Sequence, residues 1–316
     1  MLFDHAGHFA LKEPEEWAME VGKRMIELRA TTLVDGLWFP EGPRWHEDRL
    51  WFSDVLAQWV MAMDASGRIE RIVEVPNIPS GLGWLPDGQL LVVSTTDRRL
   101  LRLGADGLVE HANLWSLASE RCNDMVVDVL GRAYVGNWGY DLEASPPRPR
   151  TAEIVLVLPD GATRVAATDL VFPNGTVITP DGRTLIVAES FAARLTAFDV
   201  ASDGSLGGRR VWAQFDALGF APRPGRVVPD GICLDADGAI WVASPETAEV
   251  LRAKEGGEVT HRVTGSNPPY ACALGGSDRR TLFILTAAST RASDAWARGQ
   301  GRIEAVRVEV PGAGLP

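Results

Sequence analysis

The sequence predicts an all-β fold, a six-bladed β-propeller, from one phrase that recurs six times and from the strand content between its copies. Each copy has a lead residue, an apolar residue four places on, a turn eight places on and then an apolar run. The copies are separated by 39, 43, 51, 56 and 40 residues, and repeat periods of about 40 to 50 residues are typical of propeller blades. The lead residues, in chain order, are Glu41, Ser80, Asn123, Asn174, Asp230 and Tyr270.

Each repeat contains the pattern of about four short strands. Apolar runs such as LLVVST, TLIVAES and TLFILTA follow the turns, and a second alternating run such as RLLRLGADG follows them. Strands rich in branched and aromatic residues, separated by Gly and Asp turns, are the content of a propeller blade.

The two ends of the chain complete this prediction. Only PGAGLP follows the last strand pattern at 302–310, so the sixth repeat lacks a strand. We predict that residues 31–38 supply that N-terminal strand and close the ring, which would remove the open sheet edges. The pattern of residues 14–30 predicts an N-terminal helix with one apolar face. This helix is expected either to pack on the outside of the propeller or to form a homodimer contact. The predicted domains are therefore an N-terminal extension with a helix at 1–30 and a propeller at 31–316.

The composition excludes several classes of partner. The net charge of −11 disfavours binding to nucleic acid, because an acidic surface repels phosphates. No apolar stretch approaches the roughly 20 residues that span a bilayer, so no membrane partner is expected. The N-terminus lacks the pattern of a signal peptide. The three cysteines are widely spaced, which favours reduced thiols in a cytoplasmic protein.

Four lead residues carry oxygen donors suited to a metal ion: Glu41, Asn123, Asn174 and Asp230. Equivalent positions at the start of the innermost strands converge at one mouth of a propeller channel, where two carboxylates would repel each other. A divalent cation would relieve this repulsion, with Ca²⁺ expected first and Mg²⁺ or Mn²⁺ next. Zn²⁺ is less suited, since no lead is a histidine. The alternative is that Asn174 and Asp230 only form turns with the glycines after them.

The lead phrases resemble the senescence marker protein, regucalcin and gluconolactonase family of six-bladed propellers over about residues 33 to 309. The matching phrases are EGP at Glu41, RCND at Asn123, PNG at Asn174, PDGICLD at Asp230, and ACALGG. Propellers that hydrolyse phosphotriesters and aryl lactones are similar in the same four places.

This resemblance implies roles for individual residues. Glu41, Asn174 and Asp230 match metal ligands, and Asn123 matches a residue that binds metal in some members and substrate or water in others. Arg121 matches an arginine that orients the substrate. Asp230 also matches a residue proposed as general base or nucleophile.

Aromatic residues predict a substrate pocket that differs from a sugar-binding one. Trp138 and Tyr140 follow the third repeat's second strand, and Phe172, Phe191 and Phe220 are expected near the same mouth. The Pro-rich insertion at 141–152 is either a lid over this pocket or a plain loop. Tyr270 and Ser80 would lie beside the metal, with Tyr270 expected to bind substrate, while Ser80 either contacts substrate or only caps a turn. The alternative is that the aromatic side chains pack between blades.

The sequence therefore predicts a metal-dependent hydrolase of a lactone or related ester. In this hypothesis the ion polarises the carbonyl, Asp230 takes a proton from the attacking water, and Arg121 and Asn123 orient the substrate. A phosphotriesterase-like hydrolase, a non-catalytic calcium-binding or ligand-sensing propeller, and a metal-free protein-binding platform are the alternatives.

Overall fold

A computed structural model describes residues 25–141, 150–215, 225–291 and 293–314. These residues form a six-bladed β-propeller, as the repeat predicted, with six sheets arranged as six blades. In chain order the strands are β1 Ile26–Arg29, β2 Thr31–Leu37, β3 Pro40–His46, β4 Arg49–Asp54, β5 Trp59–Met63, β6 Ile69–Glu74, β7 Pro79–Trp84, β8 Leu90–Ser94, β9 Arg99–Gly104, β10 Gly107–Asn113, β11 Cys122–Val127, β12 Ala133–Asn137, β13 Ala152–Val157, β14 Thr163–Leu170, β15 Pro173–Ile178, β16 Thr184–Glu189, β17 Arg194–Val200, β18 Leu206–Gln214, β19 Ile232–Leu234, β20 Ile240–Ser244, β21 Glu249–Ala253, β22 Val259–Thr264, β23 Pro269–Gly275, β24 Thr281–Thr286 and β25 Gly301–Arg307.

Most blades are built from four consecutive strands joined antiparallel. Blades one to four comprise β3–β6, β7–β10, β11–β14 and β15–β18. Strands β19–β22 are the four inner strands of blade five, which has five strands in all. Blade six comprises β23, β24 and β25, and its outer strand is β2, which pairs antiparallel with β25. Strand β1 adds to the outer edge of blade five by pairing parallel with β22.

The predicted N-terminal helix is wrong where the structure describes it. Ile26–Arg29 form β1 and pair with residues 261–264, while residues 14–24 lie outside the described residues. In this segment Leu28 packs against the core between blades, while Glu27 and Arg29 are exposed. The unpaired edge of β22 offers backbone hydrogen bonds that an isolated helix cannot use. In the described ranges the helical segments are two three-residue 3₁₀ turns, Ser190–Ala192 and Ala295–Ala297.

No helix in the parts of the chain that the structure describes is long and apolar enough to cross a membrane.

The hydrophobic core lies between neighbouring blades. Between blades six and one, for example, Trp45 stacks on Phe283 with ring centroids 5.6 Å apart, and Leu50, Phe52 and Leu285 are fully buried beside them. Burying one such side chain contributes about 1.5–3 kcal/mol. Each blade therefore stabilises both of its neighbours.

The predicted turn after each innermost strand is present, with two changes of position. Gly88, Gly131, Gly182 and Gly238 adopt the positive φ that the turn requires. In blade one the turn falls at 47–48, and the predicted turn residue at 49 instead begins β4. In blade six the positive φ lies at 279, one residue later than expected.

Glycines let the innermost strands approach closely around the channel. A Cβ atom on Gly175 would lie 2.5 Å from the backbone nitrogen of Ile232, and one on Gly231 would lie 2.5 Å from the Cβ of Ala271. The Gly175 amide donates to the Asp230 carbonyl at 3.2 Å, and the Gly231 amide donates to the Tyr270 carbonyl at 2.8 Å. These bonds join the start of the innermost strands in blades four, five and six.

The lead residues lie where the strand pairing is irregular. In five blades the register between the first and second strands shifts at the lead, within 41–44, 79–82, 122–125, 173–176 and 269–271. In blade five the regular ladder begins at Ile232, two residues after Asp230. An irregularity of this kind turns side chains away from the alternating direction of a strand. The repeat therefore places each lead at the same bend of its blade.

A buried ion pair joins blades one and three across blade two. The Arg44 Nη2 donates to Asp124 Oδ1 at 2.9 Å, and both residues are only 7% exposed. The guanidinium also donates to the carbonyls of Pro43 and Met125. A Cβ atom on Gly81 would lie 2.9 Å from Asp124 Oδ1. Because Gly81 of blade two has no side chain, there is room for the ion pair.

We expect Arg44→Met to destabilise the protein by about 3–5 kcal/mol, because it leaves Asp124 buried without its counter-charge. Urea unfolding measures the change. Arg49→Met is the matched control, since Arg49 pairs with the exposed Glu70 in the same blade and should cost about 1 kcal/mol or less. Adding Asp124→Asn to Arg44→Met should recover part of the loss. Equal effects for the two arginine variants would contradict this role for the pair.

Candidate functional site

The structure brings the four predicted metal ligands together at one place. The Asn123 Nδ2 donates to Asn174 Oδ1 at 3.1 Å, and Asn174 lies close enough to the Asp230 carboxylate to lower its pKa. The negative charge of Glu41 acts on Asp230. Ser80, the lead of blade two, contacts the group through Asn123 Oδ1 at 3.5 Å. Residues separated by up to 189 positions in the chain therefore share one site.

The two carboxylates of this site are strongly perturbed. Burial, and then the charges of Glu41 and Asp124, raise the pKa of Asp230 well above its ordinary value. Burial also raises the pKa of Glu41 to about 8, although the Gly42 amide donates to its Oε2 at 2.8 Å. The Asp230 Oδ1 is buried and has no hydrogen-bond partner among the described residues.

A divalent cation fits this donor set. Two carboxylates and two amide oxygens are hard oxygen ligands of the kind that Ca²⁺ and Mg²⁺ take, and the buried Asp230 Oδ1 is a free acceptor for one. Within the described ranges no three His, Cys, Asp or Glu side chains form a group that could hold a metal by themselves.

Two residues that hold the site were missed from the sequence. The Ser190 Oγ accepts from Asn174 Nδ2 at 3.3 Å and donates to the Pro229 carbonyl at 2.7 Å, so it fixes the amide between blades four and five. The positive charge of Arg44 lowers the pKa of Glu41 and so opposes part of the negative charge. Arg44 stands three places after its lead, where the other blades have Gly, Val, Cys or Ala. This difference between a charged residue in blade one and small or apolar residues in the other blades was the feature of the sequence that could have identified Arg44.

Tyr270 lies within the electrostatic influence of Asp230 and Glu41. Burial, and then the charges of Asp230, Glu41 and Glu246, raise the pKa of its hydroxyl to about 12. Its ring meets the ring of Phe39 edge-on at 4.9 Å. The hydroxyl therefore stays protonated at neutral pH and is available as a hydrogen-bond donor.

An aromatic cluster lies next to Asn123 and Asn174, between blades three and four. Phe172 is at its centre, with ring centroids 6.1 Å from Trp138, 6.4 Å from Tyr140 and 4.5 Å from Phe191. The Arg121 guanidinium lies over the Trp138 ring, 5.3 Å from its centroid.

The backbone ties this cluster to the predicted ligands. The Trp138 amide donates to the Arg121 carbonyl at 3.0 Å, and the Ser190 amide donates to the Phe172 carbonyl at 3.0 Å. Phe172 and Tyr140 are buried, and Trp138 and Phe191 are half-buried. Phe220 and residues 142–149 of the Pro-rich insertion lie outside the described residues.

The raised pKa values predict that the metal-free protein loses stability as the pH rises. The folded state binds a proton at Glu41 more tightly than the unfolded chain does, so the contribution of Glu41 is full below about pH 4.5 and lost towards pH 8. The raised pKa of Asp230 acts in the same direction. Each carboxyl changes the free energy of unfolding by up to about 1.4 kcal/mol per pH unit. Urea unfolding in chelator across this range measures the slope.

Glu41→Gln should reduce the change of the free energy of unfolding with pH. Glu70→Gln, which changes an exposed carboxylate in the same blade, should leave this pH dependence unchanged. The same slope in all three proteins would contradict the assignment to Glu41.

Comparison with known proteins agrees with this architecture. Residues 39–288 match the family model described as SMP-30/Gluconolactonase/LRE-like region. The chain is 28% identical to a 6-deoxy-6-sulfogluconolactonase of Pseudomonas putida, over 87% of this chain and 93% of that protein. It is 24% identical to regucalcin of Gallus gallus, over 78% of this chain and 82% of that protein.

A solved structure shares the fold. The calcium-binding protein regucalcin from Agrobacterium tumefaciens superposes with a TM-score of 0.74 and 21% identity, covering 92% of this chain and 98% of that one. The family model covers most of the propeller, including the leads from Glu41 to Tyr270. This chain therefore belongs to the SMP-30/gluconolactonase/LRE-like family.

Proposed function

We propose that this protein is a divalent-metal-dependent hydrolase of a lactone or related ester. Membership of a family that includes gluconolactonases supports a lactonase-type hydrolase. The observation that carries the metal dependence is the buried, unpartnered Asp230 Oδ1 beside Glu41, Asn123 and Asn174. Such a carboxylate pair is costly to ionise without a cation.

Glu41, Asn123, Asn174 and Asp230 would hold the ion, with Ca²⁺ first and Mg²⁺, Mn²⁺ or Zn²⁺ as alternatives. When bound, the ion supplies a Lewis acid for the ester carbonyl and holds both carboxylates ionised at neutral pH. Regucalcin from Agrobacterium tumefaciens is named a calcium-binding protein, which favours Ca²⁺ here.

The chain's own residues supply the remaining chemistry. Asp230, which the ion would hold as a carboxylate at neutral pH, takes the proton from the attacking water. The Tyr270 hydroxyl, which stays protonated at neutral pH, donates a hydrogen bond to the substrate. Arg121, lying over Trp138, orients the substrate together with Asn123. The half-buried faces of Trp138 and Phe191 reduce the access of bulk water.

The aromatic cluster favours a lactone with an apolar or aromatic body. A sugar lactone has several hydroxyl groups that need hydrogen-bond partners, and the faces of Trp138, Phe172 and Phe191 offer none. A sugar lactone remains the second candidate, since the relative from Pseudomonas putida is named for a sulfonated one. A phosphotriesterase-like hydrolase and a non-catalytic calcium-binding propeller are the further alternatives.

The proposal is tested by hydrolysis of dihydrocoumarin, an aliphatic γ-lactone, a sugar δ-lactone and a phosphotriester, with and without chelator. Turnover of a lactone that chelator abolishes and a divalent ion restores would support the proposal. Turnover of the phosphotriester alone would favour the first alternative. Stoichiometric ion binding with no turnover of any compound would favour the binding protein.

We expect Asp230→Asn to lower kcat on the hydrolysed lactone by about 10²–10⁴-fold, because the variant has no carboxylate to accept the proton of water. The assay is run at saturating ion, with occupancy measured by calorimetry, since Asp230 is also a proposed ligand. Asp237→Asn, in an exposed turn of the same blade, is the matched control and should keep full activity. Near-full turnover of a loaded Asp230→Asn enzyme would exclude Asp230 as the base.

We expect Trp138→Ala and Phe191→Ala each to lower kcat/KM for dihydrocoumarin by about 5–30-fold relative to the sugar lactone, which corresponds to about 1–2 kcal/mol of lost apolar contact. Trp115→Ala is the control, since Trp115 is a 60% exposed tryptophan that lies over Arg98 and outside the aromatic cluster. A parallel decrease for both substrates would show that the cluster supports the fold and does not select the substrate.

A further inference from the structure

Two of the three cysteines meet inside the channel. The sulfur atoms of Cys233 and Cys272 are 3.7 Å apart, although the residues lie 39 positions apart in the chain. Cys233 is in the innermost strand of blade five and Cys272 in that of blade six. The third cysteine, Cys122, is buried in a different core cluster, between blades two and three.

The pair lines a cavity of about 50 Å³ at the centre of the propeller, together with apolar residues such as Val126 and Ala273 and the charged Arg44 and Arg279. Cys233 is partly exposed there, whereas Cys272 is 2% exposed. This volume is several times the roughly 10–15 Å³ that one water molecule needs, so it can hold a molecule of the size of hydrogen peroxide. A small neutral oxidant can therefore reach Cys233 first.

Only a small movement separates these thiols from a covalent bond. A disulfide has an S–S distance of about 2.05 Å, and the two sulfur atoms are already in van der Waals contact. The strands that carry them are held together by the bond from the Gly231 amide to the Tyr270 carbonyl and by packing of Gly231 on Ala271. Adjustment of the two side chains is thus the main change required.

We propose that Cys233 and Cys272 are an oxidative modification site that forms a disulfide between blades five and six when the protein meets a peroxide. Cys233 attacks the peroxide O–O bond and becomes a sulfenic acid, and the first water leaves. Cys272 then attacks the Cys233 sulfur, the S–S bond forms and the second water leaves. Two thiols lose two electrons and two protons, and one hydrogen peroxide is reduced to two waters.

The cross-link would join the strand ends that carry two residues of the candidate site. Asp230 lies three positions before Cys233, and Tyr270 lies two positions before Cys272. Burial raises the pKa of the Cys233 thiol, and the thiolate is the reactive form, so the reaction is slow at neutral pH. This proposal is independent of the proposed hydrolase activity.

The folded full-length protein is treated with excess hydrogen peroxide, quenched, unfolded in an alkylating reagent and digested for mass spectrometry. We expect a peptide pair joined through Cys233 and Cys272, lighter by two hydrogens and absent after reduction. Free thiols should fall from three to one per chain, with Cys122 alkylated. Cys122→Ser should form the same cross-link, and Cys233→Ser and Cys272→Ser should not.

Three results would overturn the proposal. In the first, the protein keeps three free thiols after treatment, although free cysteine added to the same tube is oxidised by the peroxide. The second is Cys233 oxidised to sulfinic acid with Cys272 still alkylated. The third is a disulfide between chains, seen as a dimer on a non-reducing gel. The urea unfolding midpoint of each serine variant is also measured. A variant that keeps the midpoint of the unchanged protein is folded, so its failure to cross-link is due to the missing thiol.

Discussion

The ion pair between Arg44 and Asp124 sets the charge balance on which the centre of the propeller depends. Three carboxylates, those of Glu41, Asp124 and Asp230, act on one another there, and Arg44 is the cation held among them by its bond to Asp124. The pair needs the space that Gly81 leaves, and it ties blade one to blade three. The Asp124 carboxylate is thereby paired with a cation inside the protein, whereas Glu41 and Asp230 have no such partner and have raised pKa values.

The same geometry explains why the remaining two carboxylates face one point. The register of the innermost strand shifts at the lead in five blades, and glycines after the leads of blades four and five allow the strands to touch. The leads thus form a narrow ring in which Asn123 and Asn174 are hydrogen-bonded to each other and both Asn174 and Glu41 act on the pKa of Asp230. Ser190 and the aromatic cluster around Phe172 hold this ring from outside.

The sequence predicted the blade number and the convergence of the leads, because a repeat converts distant positions into equivalent ones. It was less informative where a residue's role depends on a neighbouring blade. Arg44 and Ser190 each bond a residue of another blade, 80 and 39 positions away, and the sequence around Arg44 or Ser190 does not indicate which residue that is. The predicted helix was wrong at Ile26–Arg29 because apolar spacing that suits a helix face did not reveal the free edge of β22.

The pairing of β2 with β25 has a consequence for how the protein is made. Thr31 lies opposite Ala305, so this contact joins residues 274 positions apart. During synthesis from the N-terminus, the first strands of the chain emerge long before their partners in blades five and six exist. The early segment must remain unpaired while blades one to four fold in turn. The last step of folding is therefore a long-range one, and the exposed strands are most open to wrong pairing before that step.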